Sequence, residues 1–209
     1  MLEVNALEFG FDIPLVRGLS FAVPKGELRL LHGPSGCGKS TLLALIAGTS
    51  MFNVNWTGKI RLDGIDIGVL PAHRRKVGIM FQDALLFPHL TVGENLAFGL
   101  PTSIRGKARH LAVQGALAAA SLDGIGQRDP ASLSGGQAAR ITLMRALLAE
   151  PHALLMDEAF SSLDPDLRRQ FGQFVARQIK LRKIPALLVS HDAADQEFAT
   201  DQVLQFPKA

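Results

Sequence analysis

The sequence has no tyrosine, one tryptophan and one cysteine, Cys37. A lone cysteine excludes an internal disulfide, and a reducing, cytosolic compartment is the natural reading. Nowhere do about 18 apolar residues follow one another, so the chain is not expected to span a bilayer. Residues 1–10 carry Glu3 and Glu8 and lack a basic start followed by an apolar stretch, so no targeting segment is expected. Charge of one sign is also scarce: 22 basic against 19 acidic residues leave +3. That balance is too weak to imply nucleic acid. The basic clusters at His73–Lys76 and Arg177–Lys183 read as solvated faces. There is neither an internal repeat nor a low-complexity segment. The 209 residues suit one domain, or one domain with an inserted lobe, large enough to bury a core without a staple.

What is present is an alternation of short apolar runs and longer helical patterns, the mark of an α/β protein with a largely parallel sheet. Leu28–His32 reads as a buried strand that runs into a Gly-rich turn, and Thr41–Ala47 reads as an apolar helix. Ala153–Met156 and Ala186–Ser190 are two more strand-length runs, ending on Asp157-Glu158 and His191-Asp192. Ligands gather outside the carboxyl ends of strands in open α/β sheets, so these polar strand ends point to one site. The middle, from Asp83 to Glu150, is rich in Ala and Leu at helical spacing, as in His110–Ser121 and Gln137–Ala149. It reads as a helical lobe inserted into the α/β core.

Residues Gly33-Pro34-Ser35-Gly36-Cys37-Gly38-Lys39-Ser40-Thr41 fit the phosphate-loop pattern G-x-x-x-x-G-K-[ST]. Glycines let the backbone curl so that successive N–H groups point inward at phosphate oxygens. The helix that follows turns the positive end of its dipole to the same anion. Lys39 is placed to reach the outer phosphates of a nucleoside triphosphate, and Ser40 offers a hydroxyl to Mg²⁺. The apolar run Leu154–Met156 then delivers two adjacent carboxylates. Asp157 is suited to holding Mg²⁺ and Glu158 to orienting and deprotonating an attacking water.

Leu133-Ser134-Gly135-Gly136-Gln137 is similar to the signature sequence of the ABC ATPases, and with it the resemblance extends over essentially the whole chain. Phe81-Gln82-Asp83 resembles that family's Q-loop, Ser161-Ser162-Leu163-Asp164 its D-loop, and His191 its switch histidine. The resemblance implies a phosphate-loop NTPase core with a mostly parallel sheet, an N-terminal antiparallel β subdomain and the helical subdomain. The expected division is a core of 1–82 and 151–209 with the helical signature subdomain at 83–150. It also implies that Ser134, Gly135, Gly136, Gln137 and Asp164 act in trans on the ATP of a second subunit. Gln82 joins Glu158 and His191 as a catalytic candidate and Ser40 and Asp157 as a metal candidate, because its amide can approach Mg²⁺ or the attacking water. The family stacks adenine on an N-terminal aromatic ring. With no tyrosine available, Phe9 and Phe11 are the candidates, and Phe9-Gly10 looks most like the usual aromatic–Gly pair. Ala159 follows Glu158 where the family usually has proline. The other five histidines read as structural.

The segment from His73 to Asn95 resembles ATPase subunits of bacterial binding-protein-dependent importers. The resemblance implies an ATP- and Mg²⁺-dependent motor, dimeric, peripheral on the inner face of the cell membrane. It would act on transmembrane permease subunits served by a periplasmic or surface substrate-binding protein. An exporter, lipoprotein-release or cell-division ATPase, or a non-transport ABC ATPase, is the alternative. Asp83–Pro88 is apolar and aromatic, as suits a groove for the membrane partner.

Overall fold

A computed structural model describes residues 1–49, 53–201 and 203–206. The chain opens with a hairpin, β1 (Leu2–Gly10) and β2 (Pro14–Val23), then enters β3 (Leu28–His32), which leads through the Gly-rich loop into α1 (Lys39–Ala47). β4 (Asn55–Leu62), β5 (Ile65–Asp66), the one-turn α2 (Ala72–Arg75) and β6 (Val77–Met80) follow. Three helices come next: α3 (Val92–Phe98), α4 (Gly106–Ala119) and α5 (Gly135–Leu148). The remainder alternates β7 (Ala153–Asp157), α6 (Pro165–Arg182), β8 (Ala186–Ser190), a 3-10 turn at Ala193–Phe198 and the short β9 (Leu204–Gln205).

The strands form two sheets. One is antiparallel in the order β2-β1-β4-β5, and the other is parallel in the order β6-β7-β8-β3-β9. β7 and β8 are covered on both faces, which explains their continuous rather than alternating apolar runs. Their side chains still alternate between faces. Leu154, Met156 and Leu188 join a core with α3–α6, whereas Leu155, Leu187 and Val189 join one with α1 and the antiparallel sheet. The helical segment therefore shares one apolar core with α6 and the parallel sheet. The order 7-8-3 places the ends of β7, β8 and β3 side by side, and that juxtaposition assembles the site.

Two boundaries depart from the sequence reading for a local reason. α1 begins at Lys39, directly after Gly38 in the left-handed conformation. α5 begins at Gly135 because Ser134 and Gln137 form a capping box ahead of it. One expectation is corrected. Arg75, read as part of a solvated basic face, is 8% exposed. Its guanidinium donates to the carbonyls of Leu45, Ile46, Gly68 and Leu70. Leu45 and Ile46 belong to the last turn of α1, where carbonyls lack helical partners and a cation meets the negative end of the dipole.

Candidate functional site

The loop after β3 is built to receive an anion. Gly36 and Gly38 have φ of 78° and 105°, a region that side-chain-bearing residues avoid. A Cβ on Gly38 would meet the Phe9 ring at 3.2 Å, and one on Gly33 would meet Phe206 at 2.7 Å. No side chain caps α1 and no acidic residue occupies its first turn, so its N-terminal donors stay open to a ligand. Lys39 is 5% exposed. Its Nζ donates to the carbonyls of Gly33 and Pro34 at 2.8 and 2.9 Å and lies 3.8 Å from Glu158 Oε1. The buried ammonium is thus held by the loop that it serves.

β7 brings the two carboxylates to this loop. Burial pushes the Asp157 carboxyl above its ordinary range, a hydrogen bond from Ser40 opposes this, Glu158 adds to the rise, and Lys39 counters it. Ser40, the second residue of α1, and Asp157, the last of β7, thus face the same loop. Glu158 sits in the left-handed region with φ 48°, and its N–H donates to Val189 O at 3.0 Å. Its Oε1 is 3.0 Å from His191 Nδ1. The residue before a proline is pushed toward extended backbone, so Ala159 tolerates the Glu158 conformation better than proline would. One cluster thus joins Lys39, Ser40, Asp157, Glu158 and His191.

Other candidates lie apart from that cluster. Gln82 is exposed and borders a cleft with Gly135, Ala138, Ala159 and Ser162. Among the described residues no hydrogen bond ties it to Asp157 or Glu158. Ser134 Oγ accepts from Gln137 N at 3.3 Å, and Gln137 Oε1 accepts from Ser134 N at 3.0 Å. Gly136 packs where a Cβ would meet Leu167 at 3.2 Å, setting the signature turn against α6. Asp164 caps α6, its Oδ1 accepting from Leu167 N at 3.0 Å. Ser134, Gly135 and Asp164 remain exposed. The two phenylalanines part company. Phe9 is 2% exposed and meets Phe206 edge-on at 6.5 Å beneath the loop, so its ring faces are taken up by the core. Phe11, in the turn between β1 and β2, is 46% exposed. Sequence reasoning missed Arg168, whose guanidinium binds Asp192 and Asp195 beside His191. The only signal was an arginine one turn beyond the Asp164 cap.

Comparison with known proteins agrees with this geometry. The ABC transporter family profile matches residues 16–161. The ABC transporter ATP-binding protein YnjD of Escherichia coli (strain K12) is 47% identical over 181 residues, covering 87% of this chain and 83% of its own length. The Fe(3+) ions import ATP-binding protein FbpC 1 of Rhodococcus jostii (strain RHA1) is 44% identical over 207 residues, 97% of this chain. The sulfate/thiosulfate import ATP-binding protein CysA of Burkholderia mallei (strain ATCC 23344) is 40% identical over 196 residues, 89% of this chain. The chain spans only 58% and 54% of the lengths of those two import proteins. No helix among the described residues is long and apolar enough to cross a membrane. With a nucleotide-type phosphate loop, a carboxylate pair on the neighbouring strand and these relatives, the chain belongs to the ABC transporter family of ATP-binding proteins.

Proposed function

We propose that this chain is the ATP-hydrolysing motor subunit of a bacterial importer, working as a dimer on membrane permease subunits from the cytoplasmic side. The observation that carries the reading is the single cluster at the ends of β3, β7 and β8, where Lys39, the Ser40–Asp157 pair and the Glu158–His191 pair converge. Lys39 leaves the carbonyls of Gly33 and Pro34 for the outer phosphates, which also receive the loop N–H groups and the start of α1. Glu158 takes a proton from the water that attacks the γ-phosphorus, and ADP and phosphate are released. His191 holds the Glu158 carboxylate in place from Nδ1. The residues fit Mg²⁺, because a partly desolvated carboxylate beside a hydroxyl supplies the oxygen donors that suit a small hard cation that keeps waters and binds phosphate. Ser40 and Asp157 would hold it with Gln82 approaching from the cleft, and the ion would neutralise charge on the phosphates.

Ser134, Gly135, Gly136, Gln137 and Asp164 are assigned to the ATP of a second copy, closing two sites across the dimer. Support comes from the exposure of Ser134 and Gly135 at an N-terminus that carries no acidic first-turn residue. Phe11 is the better-placed ring for adenine because it is exposed where Phe9 is buried. The core of 1–82 and 151–209 would bind nucleotide while 83–150 moves with it; positions 50–52, 202 and 207–209 lie outside the described residues. Exposed Phe81, Leu85 and Phe98, with Phe98 4.6 Å from the Phe87 ring, offer an apolar surface for a permease. Import is favoured by the iron and sulfate import ATP-binding proteins among the relatives. Measuring Mg²⁺-dependent ATP hydrolysis tests the reading. Glu158→Gln should retain ATP binding and slow hydrolysis by about 10² to 10⁴, the usual contribution of a general base. A variant at the wild-type rate removes Glu158 from the mechanism.

A further inference from the structure

The segment from His191 to Ala199 leaves the parallel sheet, and its one regular piece is the 3-10 turn at Ala193–Phe198. Its backbone bonds are mostly internal, so side chains must fix it to the rest of the molecule. The first of its anchors is Arg168 on α6. The Nε of that guanidinium donates to Asp195 Oδ1 at 2.7 Å, and Nη1 donates to Asp192 Oδ2. Asp195 is 1% exposed, so Arg168 neutralises a carboxylate that water does not reach. Asp192 is the neighbour of His191. Its other oxygen accepts from Ala194 N at 2.9 Å, and its N–H donates to Ser190 Oγ at 3.0 Å. The backbone that carries the imidazole is therefore clamped on both sides of Asp192. Farther along, Arg169 pairs with Glu197, and Phe198 packs 5.6 Å from Phe160. Those contacts fix the far end of the turn and leave the His191 end to Arg168.

Arg168 also belongs to the first turns of α6. Its N–H donates to the carbonyl of Asp164, the capping residue, at 2.8 Å. One side chain thus spans two elements of the proposed reaction: the helix opened by Asp164 and the loop bearing His191, whose Nδ1 is 3.0 Å from Glu158. We infer that Arg168 is a positioning residue, holding the His191 loop against α6 so that the imidazole keeps its contact with Glu158. The inference rests on the proposed role of His191 and Glu158 in hydrolysis. Only a forked donor serves two carboxylates in this way; a lysine ammonium offers a compact point charge.

Arg168→Lys keeps a cation beside buried Asp195 while removing the fork. Asp192→Asn leaves the Arg168–Asp195 pair whole and breaks only the link next to His191. Both full-length variants are compared with wild type for melting temperature, ATP affinity, kcat and, without nucleotide, the imidazole ¹⁵N resonances of His191 assigned through His191→Ala. The expected result is folded protein, unchanged ATP affinity, a displaced His191 resonance and kcat lowered by about 10²-fold, the cost of a misplacement of about 1 Å. Placed in the His191→Ala background, Arg168→Lys should cause no further loss, whereas a merely structural role would give additive losses. His191 resonances at their wild-type positions in both folded variants overturn the inference. Wild-type kcat in both variants, where His191→Ala is impaired, overturns it equally. Displaced resonances combined with full activity of His191→Ala would uphold the clamp and refute the role of His191 in hydrolysis.

Discussion

Lys39→Ala isolates the electrostatic part of nucleotide binding. In the structure the Lys39 ammonium is buried and satisfied by two carbonyls of its own loop. A unit charge about 4 Å from a phosphate charge, at an effective dielectric of about 20, gains about 4 kcal/mol. Reaching the phosphate costs the two carbonyl hydrogen bonds, at about 1 kcal/mol net each. The difference, about 2 kcal/mol, corresponds to about 30-fold in affinity, rising to about 10³-fold if the carbonyl bonds are kept. Titration calorimetry with ATP, and with AMP as a control that lacks the outer phosphates, measures the effect directly. Circular dichroism melting confirms that the variant folds. The loss should be large for ATP and small for AMP. An ATP affinity within about threefold of wild type in the folded variant would refute the reasoning, since less than about 1 kcal/mol would then depend on the charge.

Three further outcomes follow from the same geometry. Asp157→Asn removes a carboxyl whose pKa burial has raised, so it should raise the melting temperature at pH 7 while abolishing Mg²⁺-dependent hydrolysis. A raised pKa means that folding favours the protonated form; the penalty is full above the raised value and fades as pH falls toward the ordinary 3.8, so the gain in melting temperature should shrink in acid. Phe11→Ala should weaken ATP and GTP alike by about 1–3 kcal/mol of stacking without changing the melting temperature, whereas Phe9→Ala, in the core, should cost about 3–5 kcal/mol of stability. Ser134→Arg should leave ATP binding to one subunit intact and abolish dimer closure. Mixed with Lys39→Ala subunits it should recover activity above that of either variant alone, which activity assays of the mixture would show.

Most of the parallel sheet was legible because strands buried on both faces read as unbroken apolar runs, as in Ala186–Ser190. The phosphate loop and the carboxylate pair were legible because their chemistry is local in sequence. What escaped depended on partners distant along the chain. Arg75 read as solvent-exposed because nothing local shows that it meets the end of α1, 30 residues before it. Phe9 was favoured over Phe11 from its neighbour Gly10, yet β1 turns Phe9 inward beyond a bulge between Asn5 and Glu8. Ser134 and Gln137 carry the spacing of a capping box, so that contact was available from sequence alone. Arg168 gave no comparable signal, since its two carboxylates lie 24 and 27 residues away.

The central claim is that ATP binding brings two copies of this chain together before hydrolysis parts them. Light scattering of Glu158→Gln, with Mg²⁺ and either ATP or ADP, tests it most directly. The account predicts twice the 22.5 kDa chain mass with ATP and a single chain mass with ADP. A variant that binds ATP but remains at 22.5 kDa would contradict it.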